Sequence, residues 1–298
     1  MIVLASLIFL LSSCSENRKH VTRADSANTP EHITEANGYA LYTDPETGII
    51  WLKDNSIFGP GAGYGATLQQ IRALGDGFRA PDLREFLLSF DYDHPSHVLS
   101  HLPVVFSKRG LYYRTAHRRQ DKQTIVVKID DGDISKWDAA NPMPLAVAVY
   151  GALSIKDPSF IDRGDGTVEV PEAGLYVLRD HVDCFGTLTP ARAVQRVAEL
   201  HDGICGLNDG SSAGDWHMPT MQELARLIGN VSRGGGIDPH ALPKAVFPKR
   251  GVWYGSSNHD ANGRYWNLYM TDHPMGYLGD AGADDPGIAV WVLPIRSK

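Results

Sequence analysis

The chain has only three cysteines in 298 residues and no excess of basic residues, with 28 Lys and Arg against 35 Asp and Glu. A formal net charge of −7 argues against a dedicated binder of DNA, RNA or another polyanion, because such binding depends on clustered Lys and Arg. The motifs His-Glu-x-x-His and Cys-x-x-Cys are also missing, and we expect neither a metal nor a cofactor. What is present, 43% apolar residues with 30 Gly and 18 Pro, predicts a folded globular protein with many turns and short strands.

The first residues have the pattern of an export signal. The segment from Ile2 to Leu11 is almost wholly apolar, yet it is too short to span a bilayer core of about 30 Å, and its length is typical of a signal peptide. The next residues, Leu11-Ser12-Ser13-Cys14, resemble the lipobox of bacterial lipoproteins. The resemblance implies cleavage before Cys14, a lipid on its sulfur and an acyl chain such as palmitate on its new amino group. The alternative is a plain secretory signal, in which this cysteine is incidental.

The residues after the signal bear on location. Residues 1–14 would hold the signal and the lipidated Cys14, and residues 15–36 are polar without apolar periodicity, which predicts a flexible tether. Ser15 is not Asp, so the resemblance to lipoprotein sorting rules favours the outer membrane. We expect a lipoprotein of the bacterial cell envelope, anchored in outer-membrane lipid through Cys14 and facing the periplasm or the cell surface.

The cysteine count agrees with export. If Cys14 carries lipid, Cys184 and Cys205 remain, and an even pair in an oxidising compartment predicts a disulfide. Closing a loop of about 20 residues would stabilise the fold by on the order of 3 kcal/mol, mainly by restricting the unfolded chain. Two buried free thiols are the alternative that the sequence leaves open.

The rest of the chain contains an internal repeat. Four landmarks recur in the same order: residues 47–54 match 173–180, 77–86 match 215–224, 102–103 with 106–110 match 242–243 with 247–251, and 146–149 match 289–292. Because the period is too long for a solenoid unit, the repeat predicts two tandem domains of one fold. We place a degenerate first copy, which has no cysteine, at residues 37–155 and the second copy at residues 156–298.

Each copy has the same predicted plan. A helix covers residues 67–74 in the first copy, capped by Thr67, and residues 189–200 in the second, capped by Thr189. Strands at residues 251–257 and 264–270 form a pair, and each copy closes with a buried strand, at residues 145–150 and 288–293. Helices in one block and strands in another predict an α+β fold.

A second helix follows the Pro that both copies share. Asp82 with Glu85, and Thr220 with Glu223, have the spacing of a capping box, in which the Glu carboxylate accepts a hydrogen bond from the N–H of the cap residue. This role explains the two matching Glu residues without catalysis.

At this point the residues resemble the Lcl C-terminal domain family. The resemblance rests on residues 160–168, on Cys184, on Trp216 to Thr220 with Glu223 and Leu224, on residues 253–257, and on residues 294–296. It covers the second copy well and the first weakly. It implies two tandem C-type-lectin-like domains with short helices and a twisted antiparallel sheet, a disulfide role for Cys184, and a bacterial surface or periplasmic location. The namesake of the family adheres to sulfated polysaccharide. This chain differs because it is acidic, which argues against adhesion to a polyanion.

Aromatic residues are unusually dense near the C-terminus. Trp253, Tyr254, Tyr265 and Trp266, together with Asn267, are the candidate ligand surface, since aromatic faces can stack on sugar rings. Alternate residues should fill the core, which is the simpler interpretation of any single one. Trp266-Asn267 also resembles part of the calcium motif of sugar-binding C-type lectins, but Leu268 replaces its Asp, so we expect no calcium-dependent binding there.

Other motifs have simpler explanations. Residues 210–214 match the nucleophile-elbow pattern, but the strand and helix that the mechanism requires are not predicted around them. The Asp, His and Cys residues at 180–184 are too close in sequence to converge on one ion. The Gly-rich segment at residues 59–65 does not have phosphate-loop spacing. The basic pairs at 108–109 and 249–250 and the basic residues at 117–122 fit solvated turns.

These features predict a non-catalytic envelope lipoprotein that binds a polysaccharide or another surface ligand, with no catalytic residues and no nucleic-acid partner. The alternative is an envelope structural or assembly protein that binds another protein. A third hypothesis is an enzyme of the formylglycine-generating-like fold, which uses active-site cysteines. A disulfide between Cys184 and Cys205 argues against the third.

Overall fold

Short strands dominate the fold, and a few short helices lie between them. The structure is a computed structural model that describes residues 33–59, 63–93, 99, 101–106, 112–118, 122–130, 132, 134–142, 144–152, 155–228, 252–259, 263–270, 278–284 and 289–298. The predicted lipidation residue Cys14 lies outside these ranges. Within them, no helix has the length and apolar character that crossing a membrane requires.

The strands and helices confirm the predicted α+β class. The strands are β1 (Ile33–Ala36), β2 (Tyr39–Thr43), β3 (Ile50–Leu52), β4 (Phe78–Arg79), β5 (Tyr112–Arg118), β6 (Gln123–Lys128), β7 (Ile134–Asp138), β8 (Val149–Tyr150), β9 (Ile161–Asp162), β10 (Thr167–Val170), β11 (Leu175–Leu178), β12 (Thr187–Leu188), β13 (Val252–His259), β14 (Tyr265–Met270), β15 (Leu278–Asp284), β16 (Val290–Trp291) and β17 (Ile295–Ser297). The helices are α1 (Gly63–Arg72), α2 (Leu83–Ser89), α3 (His181–Phe185), α4 (Pro190–Ala198) and α5 (Met221–Leu227).

The strands form four sheets, two from each sequence copy. Sheet 1 has the order β1-β2-β3-β8-β4, and sheet 2 has the order β5-β6-β7. Sheet 3 has the order β17-β11-β10-β9, and sheet 4 has the order β12-β16-β13-β14-β15. The pairings are antiparallel except for the parallel pair of β13 and β16. The predicted strand pair at residues 251–257 and 264–270 is confirmed as β13 and β14.

The two copies share strand register, which relates sheet 1 to sheet 3. Trp51 of β3 pairs with Val149 of β8, and Val177 of β11 pairs with Ile295 of β17. The structural counterpart of β8 is therefore β17, and the match of residues 146–149 with 289–292 is wrong by three residues. Both segments are apolar, and apolar character alone does not define register.

The strand pairs β5–β6 and β13–β14 also correspond. In both, the pairing is interrupted at the same place by a register shift, between Arg114 and Arg118 in β5 and between Gly255 and His259 in β13. Such irregularities bend a strand and increase its twist. The two copies therefore share a local distortion as well as the order of their strands.

Helices α2 and α5 begin with the predicted capping boxes. The Glu85 carboxylate accepts a hydrogen bond from the Asp82 backbone N–H at 2.7 Å, and the Glu223 carboxylate accepts one from the Thr220 N–H at 2.8 Å. The Thr220 hydroxyl in turn accepts from the Glu223 N–H at 3.1 Å. These bonds satisfy N–H groups that a helix leaves without a partner inside the helix.

The first helix of each copy differs from its prediction. Helix α1 begins at Gly63, so Thr67 is not a cap but lies inside the helix, where its hydroxyl donates to the Gly63 carbonyl at 3.0 Å. Helix α4 has Thr189 as its N-cap residue and Pro190 in its first turn, as predicted, although the Thr189 side chain makes no capping hydrogen bond. The first turn of α1 could not be predicted from its Gly-rich sequence, because Gly is unfavourable inside helices.

The core joins the two copies. Its largest cluster contains Trp51 and Phe86 from the first copy together with Leu224, Tyr254 and Trp266 from the second. Helix α2 packs against α5, and the part of the chain from His32 to Lys298 forms one compact unit. The boundaries at residues 37–155 and 156–298 and the C-type-lectin-like arrangement stay predictions.

Candidate functional site

The structure divides the five residues of the predicted ligand surface into two groups. Tyr254, Trp266 and Asn267 are buried, whereas Trp253 and Tyr265 are half-buried. Successive residues of a strand point to opposite faces of a sheet. Because Tyr254 and Trp266 belong to the core, Trp253 and Tyr265 lie on the opposite face of β13 and β14. Two of the five predicted residues therefore keep part of their surface exposed.

Trp266 connects the two copies instead of facing solvent. Its indole Nε1–H donates to the Tyr92 carbonyl at 3.1 Å, and its ring packs edge-on against the Tyr92 ring with centroids 5.2 Å apart. Gly132 lies against the same indole, where a Cβ would approach the ring to 3.2 Å. Trp266 is thus explained by packing, as its strand alternation allows.

Trp253 and Tyr265 lie well apart on this face. Trp253 lies opposite residue 269, which is four residues from Tyr265 along β14, or about 13 Å at about 3.3 Å per residue. The Tyr265 ring packs edge-on against His259 with ring centroids 5.3 Å apart. Near Gly255 the face is covered, because a Cβ at this position would collide with Val290.

Helices α2 and α5 meet through a reciprocal pair of hydrogen bonds. Arg84, the second residue of α2, donates from Nη1 to the carbonyl of Ile228, the C-cap of α5, at 3.1 Å. Gln222, the second residue of α5, donates from Nε2 to the carbonyl of Phe90, the C-cap of α2, at 3.1 Å. Equivalent residues contact equivalent residues, which is the pattern of a two-fold interface, here within one chain.

Arg84 also attaches the segment between the copies. Its side chain is fully buried, and Nη1 lies 3.2 Å from the Asp157 carboxylate. Ser159 belongs to the same segment and donates to the Glu172 carboxylate from its N–H at 2.8 Å and from its hydroxyl at 2.8 and 2.9 Å. The backbone hydrogen bond from Ser159 lowers the pKa of Glu172, so Glu172 stays ionised. Residues 155–159 are therefore held against both copies.

A cleft opens beside this segment. Its volume is about 610 Å³, within the range of small-molecule sites, which often lie between domains. Its lining residues come from both copies and from the segment between them: Glu46, Thr47, Leu88, Ile155, Lys156, Pro171, Glu172 and Arg226. None of these residues is predicted from the sequence to contact a ligand.

Equivalent positions of the two copies line the cleft. Glu46 and Glu172 each stand one residue before a matched position, Thr47 and Ala173, while Leu88 and Arg226 occupy the same place in α2 and α5. Extending the repeat match by one residue at the first landmark would have paired the two Glu residues. That they face one cleft depends on the α2–α5 interface, for which the sequence carries no local signal.

His181, the first residue of α3, is buried without charge. Its Nδ1–H donates to the Leu178 carbonyl at 3.0 Å, and burial lowers its pKa from 6.5 to about 4. Its Nε2 has no hydrogen-bond partner in the part of the chain that the structure describes. The described residues hold no group of three or more His, Cys, Asp or Glu that could bind an ion.

The cysteine pair and residues 210–214 lie within the described part of the chain. Cys184 and Cys205 form the predicted disulfide, with Cα atoms 5.5 Å apart. In the nucleophile-elbow pattern the nucleophile position is Ser212, whose backbone N–H donates to the Asp215 carboxylate at 2.8 Å. The hydroxyl of its neighbour Ser211 donates to the Asp209 carboxylate at 2.7 Å and accepts from Trp216 Nε1 at 3.0 Å. These bonds use the hydroxyl to hold the loop over Trp216.

Comparison of the chain with protein-family models, with curated proteins and with solved structures found no match.

Proposed function

We propose that this protein is a non-catalytic binding protein of the bacterial cell envelope and that its ligand is a polysaccharide. One observation carries the proposal. Trp253 and Tyr265 are half-buried on the outer face of β13 and β14, where their neighbours Tyr254 and Trp266 fill the core. Aromatic side chains with an accessible face are suited to stacking on sugar rings.

The spacing of the two aromatic residues favours an extended ligand. A separation of about 13 Å along the strands is too large for both rings to stack on one sugar unit. Two contact points at this distance fit different units of one glycan chain. The resemblance of the second copy to the Lcl family supports the same ligand class, and the lipobox-like segment ending at Cys14 supports the location.

Other features support binding rather than catalysis. The disulfide occupies Cys184 and Cys205, which a formylglycine-generating type of enzyme would need as thiols. Glu85 and Glu223, the matching acids of the repeat, are bound within their capping boxes. These residues have structural roles that account for their positions.

A glycan array with the soluble chain that starts after Cys14 tests the proposal. We expect binding to a polysaccharide that falls about fivefold in each of Trp253→Ala and Tyr265→Ala, because an aromatic contact contributes about 1 kcal/mol. Trp137→Ala is the matched control, since Trp137 is a half-buried indole in β7, outside this face, and should leave binding unchanged.

Loss of binding only in the control variant, or no binding to any glycan, would contradict the proposal. Capture of one envelope protein by a chain that binds no glycan would instead support the alternative, a protein partner.

A further inference from the structure

We propose that the cleft between the two copies is a binding site for a small zwitterion, a molecule that carries both an ammonium group and a carboxylate. This inference does not depend on the proposed function, because the cleft shares no residue with the face of Trp253 and Tyr265.

The walls of the cleft are held in place. The segment that contributes Ile155 and Lys156 is attached by the Asp157 contact to buried Arg84 and by the three hydrogen bonds between Ser159 and Glu172. A site with fixed walls loses little conformational entropy when a ligand binds. The volume of about 610 Å³ is therefore available without rearrangement of the chain.

The charges of the cleft are balanced. Two carboxylates, Glu46 and Glu172, and two cations, Lys156 and Arg226, share one opening. The two carboxylates would repel a polyanion, and the two cations would repel a polyamine, so either ligand would bind less tightly. A ligand with one charge of each sign pairs with both kinds of group.

Glu172 and Lys156 already interact within the cleft, Glu172 through hydrogen bonds and Lys156 through its charge, which leaves Glu46 and Arg226. Glu172 accepts hydrogen bonds from Ser159 on both carboxylate oxygens, and Lys156 contributes to the lowered pKa of Glu172. Within the ranges that the structure describes, Glu46 and Arg226 have exposed side chains and no ion-pair partner. A free acid and a free base thus face one cleft.

Each available group matches one charge of a zwitterion. The planar Arg226 guanidinium can donate two parallel hydrogen bonds to a ligand carboxylate, and the Glu46 carboxylate can accept from an ammonium group. Leu88 and Ile155, which also line the cleft, offer apolar surface to the hydrocarbon part of the ligand. The equivalent of Arg226 in α2 is Leu88, so the cation is a feature of one copy only.

Isothermal titration of the soluble chain tests this site with four probes. Muramic acid and glutamine are zwitterions from two sources, an amino sugar and an amino acid. Glucuronate carries only the carboxylate, and glucosamine carries only the ammonium group. We expect at least one zwitterion to bind, with both single-charge probes at least about tenfold weaker.

Variants identify the residues. Arg226→Leu, which copies Leu88, and Glu46→Gln should each weaken binding of the zwitterion about tenfold. Arg192→Leu and Glu35→Gln, at exposed positions outside the cleft, should not change it. Circular dichroism shows whether each variant is folded.

The outcomes are distinct. Binding of neither zwitterion, equal binding of a single-charge probe, or wild-type affinity in both cleft variants would overturn the proposal. If Trp253→Ala weakens glycan binding and retains zwitterion binding, both proposals stand. If the chain binds no glycan on the array while the cleft binds a zwitterion, only the proposed function fails.

Discussion

At the scale of single residues, equivalent positions show how the two copies diverged. Asn55 is buried, donates from Nδ2 to the Leu52 carbonyl at 2.8 Å, and accepts from the Ala148 N–H at 2.9 Å. His181 is its counterpart and keeps the first bond, to Leu178. By strand register, Pro294 stands at the position of Ala148 and has no N–H to donate, which explains why His181 Nε2 lacks a partner.

His181 makes the stability of the protein depend on pH. Because burial lowers its folded-state pKa to about 4, the unfolded chain binds the proton more readily between pH 4 and 6.5, and the free energy of unfolding falls as the pH decreases through this window. We expect His181 to account for a loss of up to about 3 kcal/mol. His181→Asn, which copies Asn55, should flatten this dependence in urea unfolding measured at several pH values. Equal slopes in the variant and the wild type would contradict the assignment.

Burial of the aromatic residues was only partly predictable. Strand alternation correctly indicated that alternate residues of β13 and β14 fill the core. The sequence could not indicate that Trp266 packs on Tyr92, because this contact joins residues 174 positions apart. Nor could it show that Asn267, on the outer face, is buried.

At the scale of elements, local signals were the most informative. The capping boxes of α2 and α5 were correctly predicted because every interaction lies within four residues. The capping Glu of each helix has a different second partner. Arg79 donates to both oxygens of Glu85 at 2.7 and 2.6 Å, whereas His217 Nε2 lies 3.2 Å from Glu223.

This difference predicts unequal effects of one substitution. Glu85→Gln removes a buried carboxylate from two Arg79 hydrogen bonds, and we expect it to lower the free energy of unfolding by about 3 kcal/mol. Glu223→Gln should cost about 1 kcal/mol, a typical loss for a cap. Urea denaturation measures both, with Glu199→Gln at an exposed position as the control.

Similar losses at both sites would show that Arg79 adds little to the α2 cap.

The contribution of Glu223 to stability also depends on pH. Burial raises its pKa, but the hydrogen bonds from His217 and Thr220 outweigh burial, so its pKa lies below the usual value. The stability that Glu223 contributes is therefore present at neutral pH and lost as acid protonates it.

Elements defined by long-range contacts were harder to predict. Helix α1 begins four residues earlier than Thr67, and the Tyr64 N–H that opens it donates to the Ala139 carbonyl at 2.7 Å, far along the chain. Strand β17 is the counterpart of β8 because of its pairing with β11, not because of its composition. In both cases the deciding partner lies outside the segment.

At the scale of the whole molecule, the repeat explains the position of the cleft. Arg84 and Gln222 exchange equivalent hydrogen bonds across the α2–α5 interface, and strands β7 and β15, which are also equivalent, pack against each other. The turns that hold Glu46 and Glu172 consequently meet at one opening. The repeat could be found by sequence comparison, whereas the contact between its copies required the structure.

The central claim is that the two copies fold as one body around this interface. Native-state amide hydrogen exchange at increasing urea measures it most directly, with β6 as the reporter of the first copy and β10 as that of the second. The claim predicts that the slowest amides of both strands exchange with one free energy and one urea dependence, as expected for a single cooperative unit. Exchange of one strand through a separate unfolding transition, while the other remains protected, would contradict it.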